Sequence, residues 1–194
     1  MLSERQTLLS QDIGGCQNRA DLMDCWSRAT REYGLDYVTL AAAPTSHDRL
    51  LGPLVRDTTL PTEYCREFDR LEFLRQCPTV PHISKSIMHN QWTIGSDGQT
   101  PSFDCPPEFA ALMRKFRLIS GILFSMNSVD GSRFVVRYDG DRGMLNMAEI
   151  NELSMLSIQA FATTENTLAL IDRHARPIIL DAEVAGAILD ARGK

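Results

Sequence analysis

Between Leu60 and Trp92 the chain reads LPTEYCREFDRLEFLRQCPTVPHISKSIMHNQW, and the reading of this stretch decides the rest. Pro61 and Pro78 each stand where a proline suits the first turn of a helix, because its fixed φ is helical and its missing N–H would be unpaired there anyway. After Pro61 the positions Tyr64, Phe68 and Leu71 share one face, and after Pro78 so do Val80, Ile83 and Ile87. Two short amphipathic helices are therefore expected, each turning an apolar face inward.

Outward from this stretch the pattern alternates between helical and strand periods. Upstream, Leu22, Cys25, Trp26, Ala29 and Tyr33 fall at helical spacing, Asn18 can cap the start, and Gly34 suits a left-handed stop. A strand follows from Asp36 to Ala41, ended by Pro44, and residues 51–58 offer an edge strand. Downstream, Gly95 to Ser102 is a polar turn region. Pro106-Pro107 then open a helix whose buried stripe is Phe109, Leu112, Met113 and Phe116. Ile119 to Met126 and Arg133 to Tyr138 read as two strands of a hairpin around Asp130-Gly131. A long helix from about Met147 to Ile171 carries the stripe Ile150, Leu153, Ser157, Ala160, Phe161, Thr164, Leu168 and Ile171. Pro177 breaks the chain before a short final helix, Asp181 to Asp190. This order implies an antiparallel sheet between two helical layers.

The bulk composition narrows the function classes. A chain of 194 residues, 43% hydrophobic and 23% charged, supports one globular domain with a full core. There is no apolar run of membrane-spanning length and the start lacks a signal-peptide core, so no membrane association and a cytoplasmic location are expected. Cys16, Cys25, Cys65, Cys77 and Cys105 are odd in number, scattered and without a CxxC pair, which argues for reduced thiols and against zinc. A net charge of −5 with dispersed Lys and Arg disfavours nucleic-acid binding. No metal or cofactor is expected. His82 and His89 could share a helix face, but no carboxylate or thiol accompanies them at ligand spacing. A Cys77–His82 nucleophile lacks an oxyanion loop and a third orienting group, so no enzyme activity is expected. Asp130-Gly131 and Asp139-Gly140 read as turns, since the alternating oxygen ligands of a calcium loop are missing.

From Leu60 onward the sequence resembles the autoinducer-binding domain of LuxR-type quorum-sensing regulators. That family carries Tyr-Pro-x-x-Trp-x-x-x-Tyr, then Asp-Pro, then a Trp at fixed distance. Here Leu60-Pro61, Tyr64, Phe68, Cys77-Pro78 and Trp92 stand at those places without a gap. Arg117-Leu118-Ile119-Ser120-Gly121-Ile122 resembles the family's Gly-Leu-x-x-Gly-Ile/Leu strand start, Val129-Asp130-Gly131 its hairpin turn, and Tyr33 to Thr39 its first strand. The likeness runs from about Asn18 to Ile171. It implies an α+β fold, an α/β/α sandwich with a central antiparallel sheet of about five strands, and a sensor domain over residues 1–172. Residues 173–194, ending in LDAEVAGAILDARGK, resemble a linker and the opening of a helix-turn-helix domain that stops before any recognition helix.

The departures matter as much. In the family an acyl-homoserine lactone is held by an Asp that accepts from its amide, a Trp that donates to its lactone carbonyl, and hydroxyl-bearing rings nearby. Trp92 keeps its indole N–H, but Cys77 replaces the Asp, Leu60 and Phe68 replace Tyr, Tyr64 replaces Trp, and Arg137 replaces a small Ser or Thr. Losing the Asp contact costs about 1.5–3 kcal/mol. Two consequences stay open. Either the cavity binds another ligand, an aromatic or anionic acyl compound read by Arg137 and Trp92, or bulky side chains fill it and leave a ligand-blind domain. Without the resemblance, Trp92, Tyr64 and Phe68 read as core aromatics and Cys77 as an inert buried thiol. The expected ligand-lining set is Leu60, Tyr64, Phe68, Cys77, Trp92, Gly121 and Arg137. The expected partners are a small-molecule signal and, through the long helix, a second copy or a LuxR-type regulator. The chain itself would not bind DNA and could antagonise the regulator it pairs with. The alternative is a small-molecule binding module with no direct part in DNA regulation.

Overall fold

A computed structural model describes residues 3–86, 88–95 and 100–175. Its elements in order are α1 (Glu4–Gly14), α2 (Arg19–Glu32), β1 (Tyr37–Ala42), β2 (Val55–Thr58), α3 (Thr62–Arg70), α4 (Val80–Lys85), β3 (Asn90–Thr93), α5 (Pro107–Lys115), β4 (Ser120–Asn127), β5 (Arg133–Gly140) and α6 (Met147–Ala175). Short 3-10 turns at Gly52–Leu54 and Phe73–Gln76 lead into β2 and α4. The strands form one antiparallel sheet in the order β2-β1-β5-β4-β3. The fold is α+β, as the sequence and its resemblance implied.

Period-2 alternation divides the sheet between two cores. From β5, Phe134, Val136 and Tyr138 point into the core under α1, α2 and α6, with Trp26, Tyr33, Leu153 and Phe161. The other face meets α3, α4 and α5. There Tyr64, Phe68, Phe73, Trp92, Phe109 and Leu118 form a second core, and Ile83 of α4 packs on Leu123 and Val135.

Local signals explain most element ends. The Asn18 side chain accepts from the Asp21 N–H at the start of α2. Gly34, at φ +68°, closes the same helix, with its N–H on the Arg31 carbonyl and the Leu35 N–H on that of Thr30. At the hairpin, Asp130 Oδ1 accepts from the Ser132 N–H at 2.8 Å, and Gly131 takes φ +87°. Asn146 Oδ1 caps α6 by accepting from the Ala148 and Glu149 N–H groups.

The structure corrects several expectations. Pro78 precedes α4, and Pro81 is the proline in its first turn. Pro61 is the cap residue before α3. Because α4 ends at Lys85, His82 and His89 share no helix. Instead the His82 ring lies 3.0 Å from the Met88 carbonyl. Asp139 and Gly140 lie within β5, not in a turn. Gly52–Leu54 is a 3-10 turn, so the edge strand is only β2. The α6 stripe through Thr164 is buried by this one core, and the apolar residues left half-exposed, Met147, Met155 and Ile158, lie elsewhere on the helix. α1 and β3 were not foreseen: α1 has few apolar residues, and β3 reads as polar until it is paired with β4. Ile87, the side chains of Leu168 and Ile171, Pro177 and the helix expected over Asp181 to Asp190 lie outside what is described.

Candidate functional site

On the α3 side of the sheet, helical spacing sets Tyr64 and Phe68 one turn apart, both at most 1% exposed. Glu72, in the left-handed region at φ 49°, bends the chain after α3. The bend brings Phe73 into edge contact with Phe68 and Phe109, at 6.0 and 5.4 Å between ring centroids. The Tyr64 hydroxyl donates to Met113 Sδ at 3.3 Å, and burial pushes its phenol well above the usual range. Leu60 and Cys77 are buried in the same core, where the Cys77 thiol meets Thr79 Oγ1 at 3.2 Å.

The sheet supplies the polar end. Trp92 on β3, Gly121 on β4 and Asp139 on β5 are in register across three strands, so all three project from one face. Gly121 is obligatory here. A Cβ on it would lie 2.7 Å from Trp92 Cζ2 and closer still to the Tyr138 carbonyl oxygen. Two residues before Asp139 on β5, Arg137 faces the same way, with Thr39 beside it on β1 and Leu123 beside it on β4. Its guanidinium lies 4.9 Å from the Trp92 ring centroid, and its Nε donates to Asp139 Oδ1 at 2.6 Å. The Arg137 side chain is 15% exposed and that of Asp139 is fully buried. Burial pushes the Asp139 carboxyl up, and Arg137 pulls it partway back. Burial disfavours the Arg137 cation, but Asp139 outweighs this and holds the guanidinium charged.

The seven residues singled out from the sequence are thus gathered into one region. Sequence reading missed Asp139, and its Asp-Gly dipeptide was a misleading turn signal. The usable clue was its place two residues after Arg137 in a strand, where a buried cation needs a counter-charge. In front of Arg137 lies a cavity of about 50 Å³ walled by Leu51, Leu54, Phe68, Val80, Ile83 and Val135. That is room for a few waters and far below the roughly 300 Å³ of an ordinary ligand pocket.

Hydrogen bonding at this end is incomplete. Among the described residues three buried side-chain N or O atoms lack a partner, and two of them, Trp92 Nε1 and Asp139 Oδ2, are here. Each such atom costs about 1–3 kcal/mol against a bonded one.

The family model of the autoinducer-binding domain matches residues 18–164. The chain belongs to the autoinducer-binding domain family. Such domains are the signal-binding part of LuxR-type quorum-sensing regulators and are not enzymes. Solved structures agree on the fold. The N-acylhomoserine lactone-dependent LuxR-family transcription factor CepR2 of Burkholderia cenocepacia aligns with TM-score 0.66 at 14% identity, covering 85% of this chain and 96% of that one. Escherichia coli SdiA aligns with TM-score 0.60 at 15% identity, covering 84% of this chain and 67% of that one. SdiA in complex with octanoyl-rac-glycerol gives 0.61 at 13% identity, covering 87% and 66%. No curated protein sequence matches the chain. Among the described residues no helix is long and apolar enough to cross a membrane.

Proposed function

We propose that this autoinducer-binding domain senses a small molecule with an apolar tail, seated between the sheet and α3–α4, and that Trp92 donates its indole N–H to the head group. The observation that carries this reading is the Trp92 Nε1 atom, buried and without a hydrogen-bond partner, on a ring covered by the Arg137 guanidinium, which itself lines a small apolar cavity. Leu60, Tyr64, Phe68 and Cys77 form the wall behind the head group, Gly121 makes room for the indole, and Arg137 fixes its face. A core shaped only to be solid would not leave an indole N–H unbonded at a cost of about 1–3 kcal/mol. CepR2 is described as dependent on N-acylhomoserine lactone, and SdiA is described bound to octanoyl-rac-glycerol. Both compounds combine an acyl tail with a neutral polar head, which suits these walls. The small cavity requires the short α4, with Val80 and Ile83, to move outward as the ligand enters.

Thermal unfolding with a series of N-acyl homoserine lactones and acylglycerols tests this. A rise in Tm with the wild type that is lost in Trp92→Phe supports the sensor. Absence of any rise up to the solubility limit overturns it and favours a ligand-independent domain, the reading that the tight packing of Tyr64 and Phe68 and the paired Arg137 favour.

Association would carry the signal onward, to a second copy or to a LuxR-type regulator. The outer face of α6, with Met147 62% exposed and Met155 and Ile158 each 48% exposed, is the surface assigned to it. Antagonism of a paired regulator is tested by mixing the two. Mixed dimers with reduced operator binding support it, and unchanged binding ends it.

A further inference from the structure

A single charged side chain reaches the cavity between the sheet and α4, at a place where the resemblance to the family puts a small Ser or Thr. We infer that Arg137 makes this cavity a site for the carboxylate of a small apolar acid. The two Nη groups of its guanidinium donate to the two carboxylate oxygens, and the hydrocarbon part of the acid lies between β5 and α4. This rests on the sensor reading above and names the ligand class for it.

The lining of the cavity sets the charge it accepts. Among the described residues that wall it, Arg137 is the one cation, and no Asp or Glu is present. Leu54, Val80, Ile83 and Val135 supply apolar walls. The remaining polar walls are already bonded, Thr39 Oγ1 to Thr58 Oγ1 at 2.6 Å and Cys77 Sγ to Thr79 Oγ1 at 3.2 Å. Asp139 does not line the cavity. It takes only the Nε edge of the guanidinium, through Oδ1 at 2.6 Å, while the Trp92 ring covers one face with its centroid 4.9 Å away. A guanidinium carries five N–H donors in a planar fork. Among the described residues the Nη donors meet no acceptor. Unbonded donors on a half-buried cation are costly, so the arrangement calls for an acceptor that enters the cavity.

The fork selects the acceptor. A carboxylate matches two Nη groups with two parallel charge-assisted bonds, whereas a lone carbonyl or hydroxyl oxygen leaves one of them unpaired. A doubly charged phosphate does not suit aliphatic walls that hold one cation. The bound acid and Asp139 occupy different edges of the same guanidinium. Burial already pushes the Asp139 carboxyl up, and its Oδ2 has no partner, so this is the atom that can take a proton from solvent to offset the second negative charge.

Three probes with one tail separate the cases: hexanoate, an anion with two equivalent oxygens; methyl hexanoate, a neutral acceptor; and hexanamide, a neutral acceptor with donors. Calorimetric titration of the whole chain should show hexanoate at least tenfold tighter than either neutral probe. Arg137→Lys keeps a cation against Asp139 but loses the fork, so hexanoate should weaken about tenfold and methyl hexanoate should not. Val80→Phe fills the cavity from α4 without touching Arg137 and should abolish binding of hexanoate. The wild-type ranking and Val80→Phe decide the matter even if Arg137→Lys fails to fold. A wild-type preference for hexanoate below tenfold overturns the carboxylate assignment and leaves the sensor reading standing. So does unchanged hexanoate affinity in folded Arg137→Lys or in Val80→Phe. If none of the three probes binds, the carboxylate assignment falls, and the lactone and acylglycerol thermal series decides the sensor reading separately.

Discussion

Gly34 and Arg117 close their helices in the same way but at different cost. After α5 the Arg117 N–H reaches the Arg114 carbonyl and the Leu118 N–H reaches that of Met113, the same pair of bonds that Gly34 and Leu35 make after α2. Gly34 does this at φ +68° without penalty, whereas Arg117 does it at φ +60° with a Cβ. Arg117→Gly should therefore stabilise the fold by about 1 kcal/mol, less the small share due to its exposed 3.4 Å contact with Asp141. Urea denaturation reads this directly. The buried Arg137–Asp139 pair is a harsher case. Arg137→Met strands a buried carboxylate and should cost about 3–5 kcal/mol. Replacing both, as Arg137→Met with Asp139→Leu, should recover most of that loss, because neither charge then remains to be desolvated. A double variant destabilised by the sum of the losses of Arg137→Met and Asp139→Leu alone would show that the pair is not coupled.

Between elements, polar groups buried under α6 fix how it sits on the sheet. Trp26 Nε1 donates to the Tyr138 hydroxyl at 2.7 Å, that hydroxyl meets Ser157 Oγ at 2.7 Å, and Ser157 reaches the Leu153 carbonyl at 2.7 Å. This chain joins α2, β5 and α6 in an apolar core, so Tyr138→Phe leaves the Trp26 N–H without an acceptor. A loss of about 1–3 kcal/mol is expected, larger than that of Ser157→Ala, which leaves the Trp26–Tyr138 bond intact. At the rim, Glu152 accepts from Arg5 at 2.7 Å and from the Tyr33 hydroxyl at 2.8 Å, while Glu149 pairs with Arg142 at 3.1 Å. Arg142 also donates to the Tyr33 carbonyl. Burial pushes both glutamates up, but their hydrogen bonds outweigh it and hold both below the usual carboxylate range. A carboxylate held low adds stability above its unfolded value of about 4.3 and loses it as pH falls through the lower folded value. The stability that these two glutamates add should thus stay level from neutral pH down to about pH 5 and be lost below about pH 4.3, read as the difference in urea midpoint between the wild type and the Glu152→Gln variant. Glu152→Gln should be less stable at neutral pH and show a shallower acid drop.

At the scale of the molecule the two cores are unequal in purpose. The α1–α2–α6 core is closed and fully bonded around Tyr138, whereas the α3–α5 core ends in a small cavity and two unpartnered polar atoms. On the proposed function, a ligand and a second chain that each bind only the native state would each add stability by mass action, about 2.7 kcal/mol at a hundredfold excess over Kd. Ile158→Glu places a charge on the exposed face of α6 and should shift sedimentation toward the monomer while leaving unfolding of the isolated domain unchanged within about 0.5 kcal/mol. A species that sediments identically in both proteins would remove α6 from the interface.

The sequence by itself determined the alternation of helical and strand periods, the caps at Asn18 and Gly34, the hairpin at Asp130-Gly131, and the spacing that ties Tyr64, Cys77 and Trp92 to one family. These features are local, set by one residue's dihedral preference or by the repeat of a single element. Tertiary structure alone decided the rest. α1 is held by packing against α6, and β3 by its pairing with β4, neither of which leaves a periodic trace in its own few residues. Asp139 shows why the same holds for the site. An Asp-Gly pair prefers a turn, yet burial beside Arg137 requires a carboxylate in mid-strand, and that requirement exists only once β5 lies between β1 and β4 with Trp92 one strand further on.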